Sequence, residues 1–196
     1  MKKESFPFHD SALKGFRALI CGASKGIGRS IAESMAKTGA DIIICSRSKD
    51  ALVEFCDELM GMGANSAKPL PLDLENTENV EKSITKLLSD GPIHILINNV
   101  SGPPGGPLLN VELSEFEPAF KRHLHAAHTI TRMLVPGMEE AGIGRIVNII
   151  STSVKSPIPG LGVSNTIRAA VANWAKTLSF ELAEYGLSLI HISEPT

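Results

Sequence analysis

Short apolar runs alternate along the chain with longer segments of helical spacing. The runs, rich in β-branched residues, lie at positions 16–21, 42–45, 93–97 and 146–150. Between them apolar residues recur every three or four positions, as at Val80, Ile84 and Leu87. A short apolar run predicts a buried strand, and the recurrence predicts an amphipathic helix. Their alternation predicts an α/β fold with a mostly parallel sheet covered by helices on both faces.

The segments between these elements refine the prediction. A weaker strand is expected near residues 66–72, where two prolines favour the edge of a sheet. Residues 102–107 read GPPGGP and predict a loop. Asn76 and Ser114 are expected to cap the next two helices. Pro136 is expected to end or kink the long helix that begins near Ser114.

Composition and charge exclude several classes of protein. The chain has 196 residues, of which 43% are hydrophobic, and a net charge of −2, which fits one domain without a nucleic-acid partner. No run reaches the roughly 18 apolar residues of a membrane span, and the charged N-terminus lacks a following apolar stretch. We therefore expect a cytoplasmic protein. Cys21, Cys45 and Cys56 show no metal-ligand spacing and predict buried, reduced thiols without a metal site.

A glycine-rich turn carries the first functional signal. It reads Gly22-Ala23-Ser24-Lys25-Gly26-Ile27-Gly28. Gly22 permits a tight turn, Gly26 lets backbone amides approach a pyrophosphate, and Gly28 lets the helix pack closely on the sheet. The helix that follows offers free N–H groups and a partial positive charge to phosphates. Between a strand and a helix, these glycines predict a nucleotide-binding turn; the alternative is a glycine-rich connection without a ligand.

The end of the second predicted strand bears on the choice of cofactor. NAD-selective sites place an acidic residue there, about 20 residues after the glycines, to hold the ribose 2′-hydroxyl. Here the strand ends in Cys45-Ser46-Arg47, without an acid. Arg47 and Lys25 instead offer positive charge where a 2′-phosphate would lie. The sequence favours NADP(H) over NAD(H); the alternative is that both residues are solvated surface charges.

Four further segments follow the glycine turn in a recognisable order. They are Asp73-Leu74, Asn98-Asn99, residues 144–149 leading to Ser151, and residues 175–186. Together these segments resemble the short-chain dehydrogenase/reductase family, and within it the 3-oxoacyl-[acyl-carrier-protein] reductase-like members. The resemblance implies a Rossmann-type doubly wound parallel sheet in three α/β/α layers, and an oxidoreductase acting on a small carbonyl or alcohol substrate. It also implies that Asp73 and Leu74 lie near the adenine and Asn98 near its ribose.

The family's catalytic set is Asn, Ser, Tyr and Lys, and this sequence keeps one of the four. Ser151 matches the serine, which polarises the substrate carbonyl. Ser164 replaces the tyrosine proton donor, and Arg168 replaces the lysine that lowers the tyrosine pKa and binds the nicotinamide ribose. His123 replaces the asparagine that holds a relay water. Val100-Ser101 also departs from the family's Ala-Gly. The Ser-Asn-x-x-Arg pattern is similar to a divergent, reductase-like subgroup.

These replacements change the available chemistry. A tyrosine phenol starts near a pKa of about 10, whereas a serine hydroxyl starts far higher, so Ser164 is a poor general acid; the alternative is a helix N-cap. Arg168 can hold ribose hydroxyls but cannot give up a proton at useful pH. His123 is an alternative acid, because histidine titrates near neutral pH, or else a packed histidine.

Three functional hypotheses stay open at this point. The first is an NADP-dependent oxidoreductase with an atypical catalytic set. The second is a catalytically weak nucleotide-binding relative that acts as a sensor or assembly partner, and the third is a purely structural α/β module. The resemblance implies a homodimer or homotetramer through the helices near 114–138 and 164–185.

The last ten residues are of a different kind. They match the translation of one reading frame of a common transposase sequencing adapter. We therefore expect a nucleotide-binding domain over residues 1–186 and a non-native tail over 187–196. Residues 187–192 nevertheless have the apolar pattern of a strand.

Overall fold

The computed structural model describes residues 8–194. The chain divides into two compact units, with the boundary between Pro71 and Leu72. Over the described residues, no helix combines the length and apolar character needed to cross a membrane. Cys21, Cys45 and Cys56 are buried, as predicted, and none of the three forms a disulfide within the described residues.

The first unit is a three-stranded parallel sheet with two helices. Its elements are β1 (Arg17–Cys21), α1 (Gly26–Ala36), β2 (Asp41–Ser46), α2 (Lys49–Gly61) and β3 (Ser66–Pro71). β2 lies between β1 and β3 and is parallel to both. This confirms the three predicted strands within two residues. The two prolines of β3 are accommodated because, within this unit, the strand pairs with β2 on one side.

One arginine joins the two helices of this unit. The guanidinium of Arg29, on α1, lies 4.1 Å from the centre of the Phe55 ring on α2. The same group pairs with the carboxylates of Glu33 and Glu58. A stacked, doubly paired guanidinium of this kind holds α1 against α2.

The second unit repeats the parallel α/β arrangement. Its elements are α3 (Thr77–Leu88), β4 (Ile95–Asn98), α4 (Leu113–Phe120), a π-helical turn (Lys121–His125), α5 (Ala126–Glu140), β5 (Arg145–Ser151), α6 (Gly162–Ala183) and β6 (Ser188–Glu194). β5 lies between β4 and β6 and is parallel to both. The strand pattern of residues 187–192 is thus confirmed as β6, while the non-native origin of the tail stays a prediction.

The ends of the helices in the second unit confirm one capping prediction and differ from two other predictions. Asn76 caps α3 as expected, since its side-chain oxygen accepts the N–H of Asn79 over 3.1 Å. Ser114 does not cap α4; the N-cap is Glu112, whose N–H donates to the Glu115 carboxylate over 3.1 Å. Pro136 does not end the long helix, because it lies inside α5, which continues to Glu140. A kink at Pro136 stays a prediction.

Candidate active site

The glycine turn in the first unit has the backbone that nucleotide binding requires. Gly22 and Gly26 adopt φ values of +62° and +58°, in the left-handed region that side chains disfavour. A Cβ added at Gly26 would meet no atom within 4 Å, so the space above the turn is open. Gly28 is buried in the first turn of α1, and Lys25 is the exposed N-cap residue. The α1 amides therefore face an open approach.

The carboxyl end of β2 lies beside this turn. The Ala23 N–H donates to the Cys45 carbonyl over 3.1 Å, which ties the turn to the end of β2. Ser46 follows, and its buried Oγ has no hydrogen-bond partner among the described residues. Arg47 and Lys25 are both exposed. An unpartnered hydroxyl with two exposed cations fits a phosphate ester, which accepts hydrogen bonds and carries negative charge.

In the second unit, the segment that the resemblance assigns to adenine follows β3. Asp73 is exposed, and its carboxylate accepts the Glu75 N–H over 3.0 Å. Leu74 is 8% exposed. The Glu75 carboxylate pairs with the Arg122 guanidinium over 2.9 Å. This ion pair fastens the segment to the π-helical turn that also carries His123.

Asn98, assigned to the adenine ribose, is engaged within the protein. Its Nδ2 donates to Oδ1 of Asn148 over 2.9 Å, and the two residues are register partners on β4 and β5. Sequence reasoning missed Asn148. The signal available was an amide inside the otherwise apolar run of β5.

The two serines of the catalytic pattern are both buried. Ser151 ends β5, is fully buried, and its Oγ accepts the Ser153 N–H over 3.1 Å. Ser164 lies in the first turn of α6 and is 4% exposed. The N-cap hypothesis for Ser164 is wrong, because α6 begins at Gly162 and its N-cap is Leu161.

Local hydrogen bonds explain why α6 begins at Gly162, two residues before Ser164. The Gly162 N–H donates to the Gly106 carbonyl over 3.2 Å, and the Gly106 N–H donates to Gly160. The GPPGGP loop is thereby pinned beside the first turn of α6. A Cβ added at Gly102 would lie 3.9 Å from both the Ser164 Oγ and the Arg168 Nη2. The loop therefore brings Gly102, Ser164 and Arg168 together.

Arg168 is committed to backbone carbonyls. Its Nη1 donates to Ile149 over 2.8 Å and its Nη2 to Val100 over 3.1 Å, so the guanidinium joins β5 to the segment after β4. Burial lowers the pKa of Arg168. Its Nε, which is also buried, has no partner among the described residues.

His123 lies in the π-helical turn and is 4% exposed. Burial, followed by the charges of Arg168 and Arg122, lowers its pKa from 6.5 to about 3, against the opposing effect of a hydrogen bond to the Ser101 backbone. The ring is therefore neutral at pH 7. Of the two hypotheses for His123, this favours the packed histidine over the alternative acid, because a lowered pKa leaves little imidazolium at that pH. A catalytic role of His123 stays a prediction.

Four buried polar atoms in this region lack a partner among residues 8–194. They are His123 Nε2, Asn148 Nδ2, Ser153 Oγ and Arg168 Nε. Buried polar atoms without partners are costly, so a concentration of them indicates a place where water or a polar ligand completes the bonding. Ser153, like Asn148, was missed from the sequence.

A left-handed glycine turn after a first strand, with polar side chains at the carboxyl ends of parallel strands, defines a nucleotide-binding α/β protein of the dehydrogenase class. The chain belongs to the short chain dehydrogenase family, whose sequence pattern matches residues 17–195. Members of this family are oxidoreductases, and the family assignment confirms the Rossmann-type fold.

Three relatives illustrate the similarity. The ketoacyl reductase HetN of Nostoc is 33% identical over 180 residues, which are 91% of this chain and 62% of that protein. L-sorbose reductase from Gluconobacter frateurii, solved with NADPH and L-sorbose, gives a TM-score of 0.89 at 28% identity, covering 94% of this chain and 71% of that one. A metagenomic short-chain oxidoreductase solved with NADP gives 0.88 at 25%, covering 94% and 83%.

Proposed function

We propose that the full-length protein is an NADP(H)-dependent oxidoreductase acting on a carbonyl or alcohol group, as in 3-oxoacyl reductases, with an atypical catalytic set. The observation that carries the cofactor preference is the end of β2, where Ser46, Arg47 and Lys25 offer a hydroxyl and two cations and no acid. The relatives solved with NADP or NADPH support the same preference.

The residues present fit the cofactor. The glycine turn from Gly22 to Gly28, including Ala23, Ser24 and Ile27, would hold the pyrophosphate through backbone amides. The family resemblance assigns Asp73, Leu74 and Asn98 to the adenosine half. When bound, NADP(H) supplies or accepts a hydride. The buried Ser151 hydroxyl, which accepts from the Ser153 N–H, keeps its own O–H to donate to a substrate oxygen.

The second candidate function is nucleotide binding with little catalysis. It is favoured by the guanidinium of Arg168, whose two terminal nitrogens each donate a hydrogen bond to a backbone carbonyl, which leaves fewer donors for a ribose. It is also favoured by the neutral state of His123 and by the hydroxyl of Ser164 in place of a phenol. In this candidate function the protein senses NADP(H) or assembles with partners.

Fluorescence titration of the full-length protein with NADPH and NADH tests the cofactor preference. Arg47→Asp is expected to weaken NADPH binding about tenfold or more while leaving NADH binding nearly unchanged, because a charge-assisted contact to phosphate is lost. Lys14→Asp, an exposed charge reversal elsewhere in the first unit, is the matched control. Equal losses for both cofactors would contradict the preference.

Turnover separates the two candidate functions. With NADPH bound, oxidation of the cofactor by an acetoacetyl thioester would establish a reductase. Binding without oxidation of NADPH by this or other carbonyl compounds would support the sensor. If the protein is a reductase, Ser151→Ala is expected to lower its turnover more than any other single substitution in the catalytic set, because Ser151 alone matches the family's pattern.

We also propose a homodimer or homotetramer through the long helices of the second unit. A groove of about 520 Å³ runs between α5 and α6. At its end Tyr185 is 52% exposed, and Phe180 on α6 is 70% exposed. Light scattering of the full-length protein would measure the assembly, and Phe180→Lys is expected to weaken it.

A further inference from the structure

Two of the three cysteines lie side by side on adjacent strands. Cys21 is the last residue of β1, and Cys45 is its register partner on β2, which runs parallel to β1. In a parallel pair, register partners project their side chains from the same face of the sheet. Both cysteines are 1% exposed. The two thiols are therefore buried next to each other on one face.

The spacing of the strands brings these two cysteines within range of a disulfide. Neighbouring strands lie about 4.8 Å apart, and the Cα atoms that a disulfide joins lie about 4.4–6.8 Å apart. The Cβ atoms of a disulfide are closer, at about 3.8 Å, so the bond draws the ends of β1 and β2 together by about 1 Å. A bond that requires such a shift is readily reduced again. The geometry therefore favours a reversible disulfide.

The third cysteine differs in position and in chemistry. Cys56 lies on α2, outside the strand pair. Burial, followed by the charge of Asp57, raises the pKa of its thiol to about 11. The thiolate is the reactive form of cysteine, so Cys56 reacts slowly at neutral pH. It serves as an internal control for the pair.

The pair adjoins the nucleotide turn on both strands. Cys21 directly precedes Gly22, the first glycine of the turn, and the Cys45 carbonyl accepts the Ala23 N–H over 3.1 Å. Ser46, whose buried Oγ has no partner among the described residues, follows Cys45. A shift of about 1 Å at the two cysteines therefore moves the turn and the end of β2 through directly bonded neighbours.

An oxidant reaches these buried thiols through a local opening of the strand ends. Both strands end near the surface, because Lys25 in the glycine turn and Arg47 after β2 are exposed. Local openings of this kind need less free energy than global unfolding does. The thiols can therefore react while the rest of the protein stays folded.

We propose that Cys21 and Cys45 are a modification site, a dithiol that a hydroperoxide oxidises to a disulfide, and that this disulfide weakens nucleotide binding at the adjoining turn. The second part rests on the proposed function, while the first does not. One thiolate attacks the peroxide, whose O–O bond breaks, and becomes a sulfenic acid. The second thiol displaces water from that acid and forms the S–S bond. With hydrogen peroxide, two thiol hydrogens and two electrons pass to the oxidant, which leaves as two molecules of water.

Peptide mapping tests the disulfide without any cofactor. The full-length protein is treated with hydrogen peroxide, its remaining thiols are blocked, and it is digested with trypsin. Cys21 and Cys45 then fall in separate peptides, residues 18–25 and 38–47, and Cys56 falls in a third. We expect the first two peptides to be linked after peroxide and separated again by dithiothreitol. Unlinked peptides, whether unmodified or oxidised to sulfinic acid, or a link through Cys56, would overturn the assignment.

NADPH titration tests the effect of the disulfide on the turn. After removal of the peroxide, the disulfide form is expected to bind NADPH about tenfold more weakly than the reduced form, because the turn's contacts to phosphate are displaced. Equal affinities of the two forms would overturn this effect. A reduced protein that binds no NADPH would contradict the proposed cofactor site, and the peptide link would still identify the dithiol.

Matched cysteine variants separate the disulfide from other oxidative damage. Cys21→Ala is expected to have the same NADPH affinity before and after peroxide, and Cys45→Ala, the second variant of the pair, is expected to behave in the same way. Cys56→Ala lacks the thiol on α2 and is expected to lose affinity as the wild type does. A loss after peroxide in Cys21→Ala and Cys45→Ala as large as that in the wild type would overturn the proposal.

Discussion

Asn98 and Asn148 face each other across β4 and β5, and the Asn98 amide nitrogen donates to the Asn148 side-chain oxygen over 2.9 Å. Asn148 is 1% exposed and its own Nδ2 has no partner among the described residues. The Asn148 side-chain oxygen thus holds the Asn98 amide in place, while the two N–H groups of Asn148 Nδ2 make no hydrogen bond among the described residues. The pair therefore fixes the orientation of the Asn98 side chain.

Asn148→Leu tests this relationship. The change leaves Asn98 Nδ2 without its acceptor in a partly buried place, so the free energy of unfolding is expected to fall by about 1–3 kcal/mol in urea titrations. Cofactor affinity is expected to fall with it. Asn173→Leu, at an exposed position on α6, is the matched control. Unchanged stability with unchanged cofactor binding would show that the pair orients nothing.

Gly26→Ala probes the nucleotide turn. The backbone there has φ +58°, and a Cβ would meet no atom within 4 Å, so the cost is conformational and amounts to about 1 kcal/mol. The added methyl group would occupy the open space above the turn, and NADPH affinity is expected to fall more than stability does. Gly61→Ala is the control, since that glycine has equally open surroundings and no positive φ. Equal NADPH affinities of both variants would contradict a phosphate site at the turn.

The sequence predicts the strands well because each is a short, buried, β-branched run. It predicts the buried face of α1 less well. The sequence suggests one face made of Ile27, Ile31, Met35 and Ala36, and of these α1 buries only Ala36, together with Gly28 and Ala32. Ile27 is 41% exposed. Close packing of a helix needs small residues at the contact, and hydrophobicity alone does not reveal them.

The candidate site shows more clearly what cannot be predicted from sequence patterns. The glycine turn and the positions of Ser151, Ser164 and Arg168 are visible in the sequence because they have fixed spacings. The bond from Arg168 to Val100 joins residues 68 positions apart, and no local pattern encodes it. The low pKa of His123 likewise depends on burial and on two arginines, one of them from another helix.

Gly162→Ala tests how the GPPGGP loop is seated. A Cβ at this position would lie 2.8 Å from the Leu108 Cα and 2.9 Å from its Cβ, so the loop must move away from α6. Overpacking of this kind costs about 1–3 kcal/mol, which thermal or urea unfolding would detect. Gly106→Ala, where a Cβ meets no atom within 4 Å, is expected to be nearly neutral. A Gly162→Ala variant as stable as the Gly106→Ala variant would contradict the contact.

Acid stability gives the last prediction, and its sign follows from the direction of the His123 shift. Folding lowers the pKa of this ring from 6.5 to about 3, so the unfolded chain binds a proton that the folded chain excludes over that interval. The stabilising contribution is complete above pH 6.5 and is lost as the pH falls toward 3. Its full size is on the order of 5 kcal/mol at one pKa unit per 1.36 kcal/mol.

Urea unfolding of the wild type and of His123→Gln at a series of pH values measures this contribution. Below pH 6.5 the free energy of unfolding is expected to fall more steeply with pH for the wild type than for His123→Gln. The difference between the two slopes corresponds to at most one bound proton, because Gln cannot take up a proton in the unfolded chain. His125→Gln, an exposed histidine of the same π-helical turn, is expected to follow the wild-type curve. Parallel curves for the wild type and His123→Gln would mean that the buried ring accepts a proton as readily as the unfolded one, which would contradict the lowered pKa of His123.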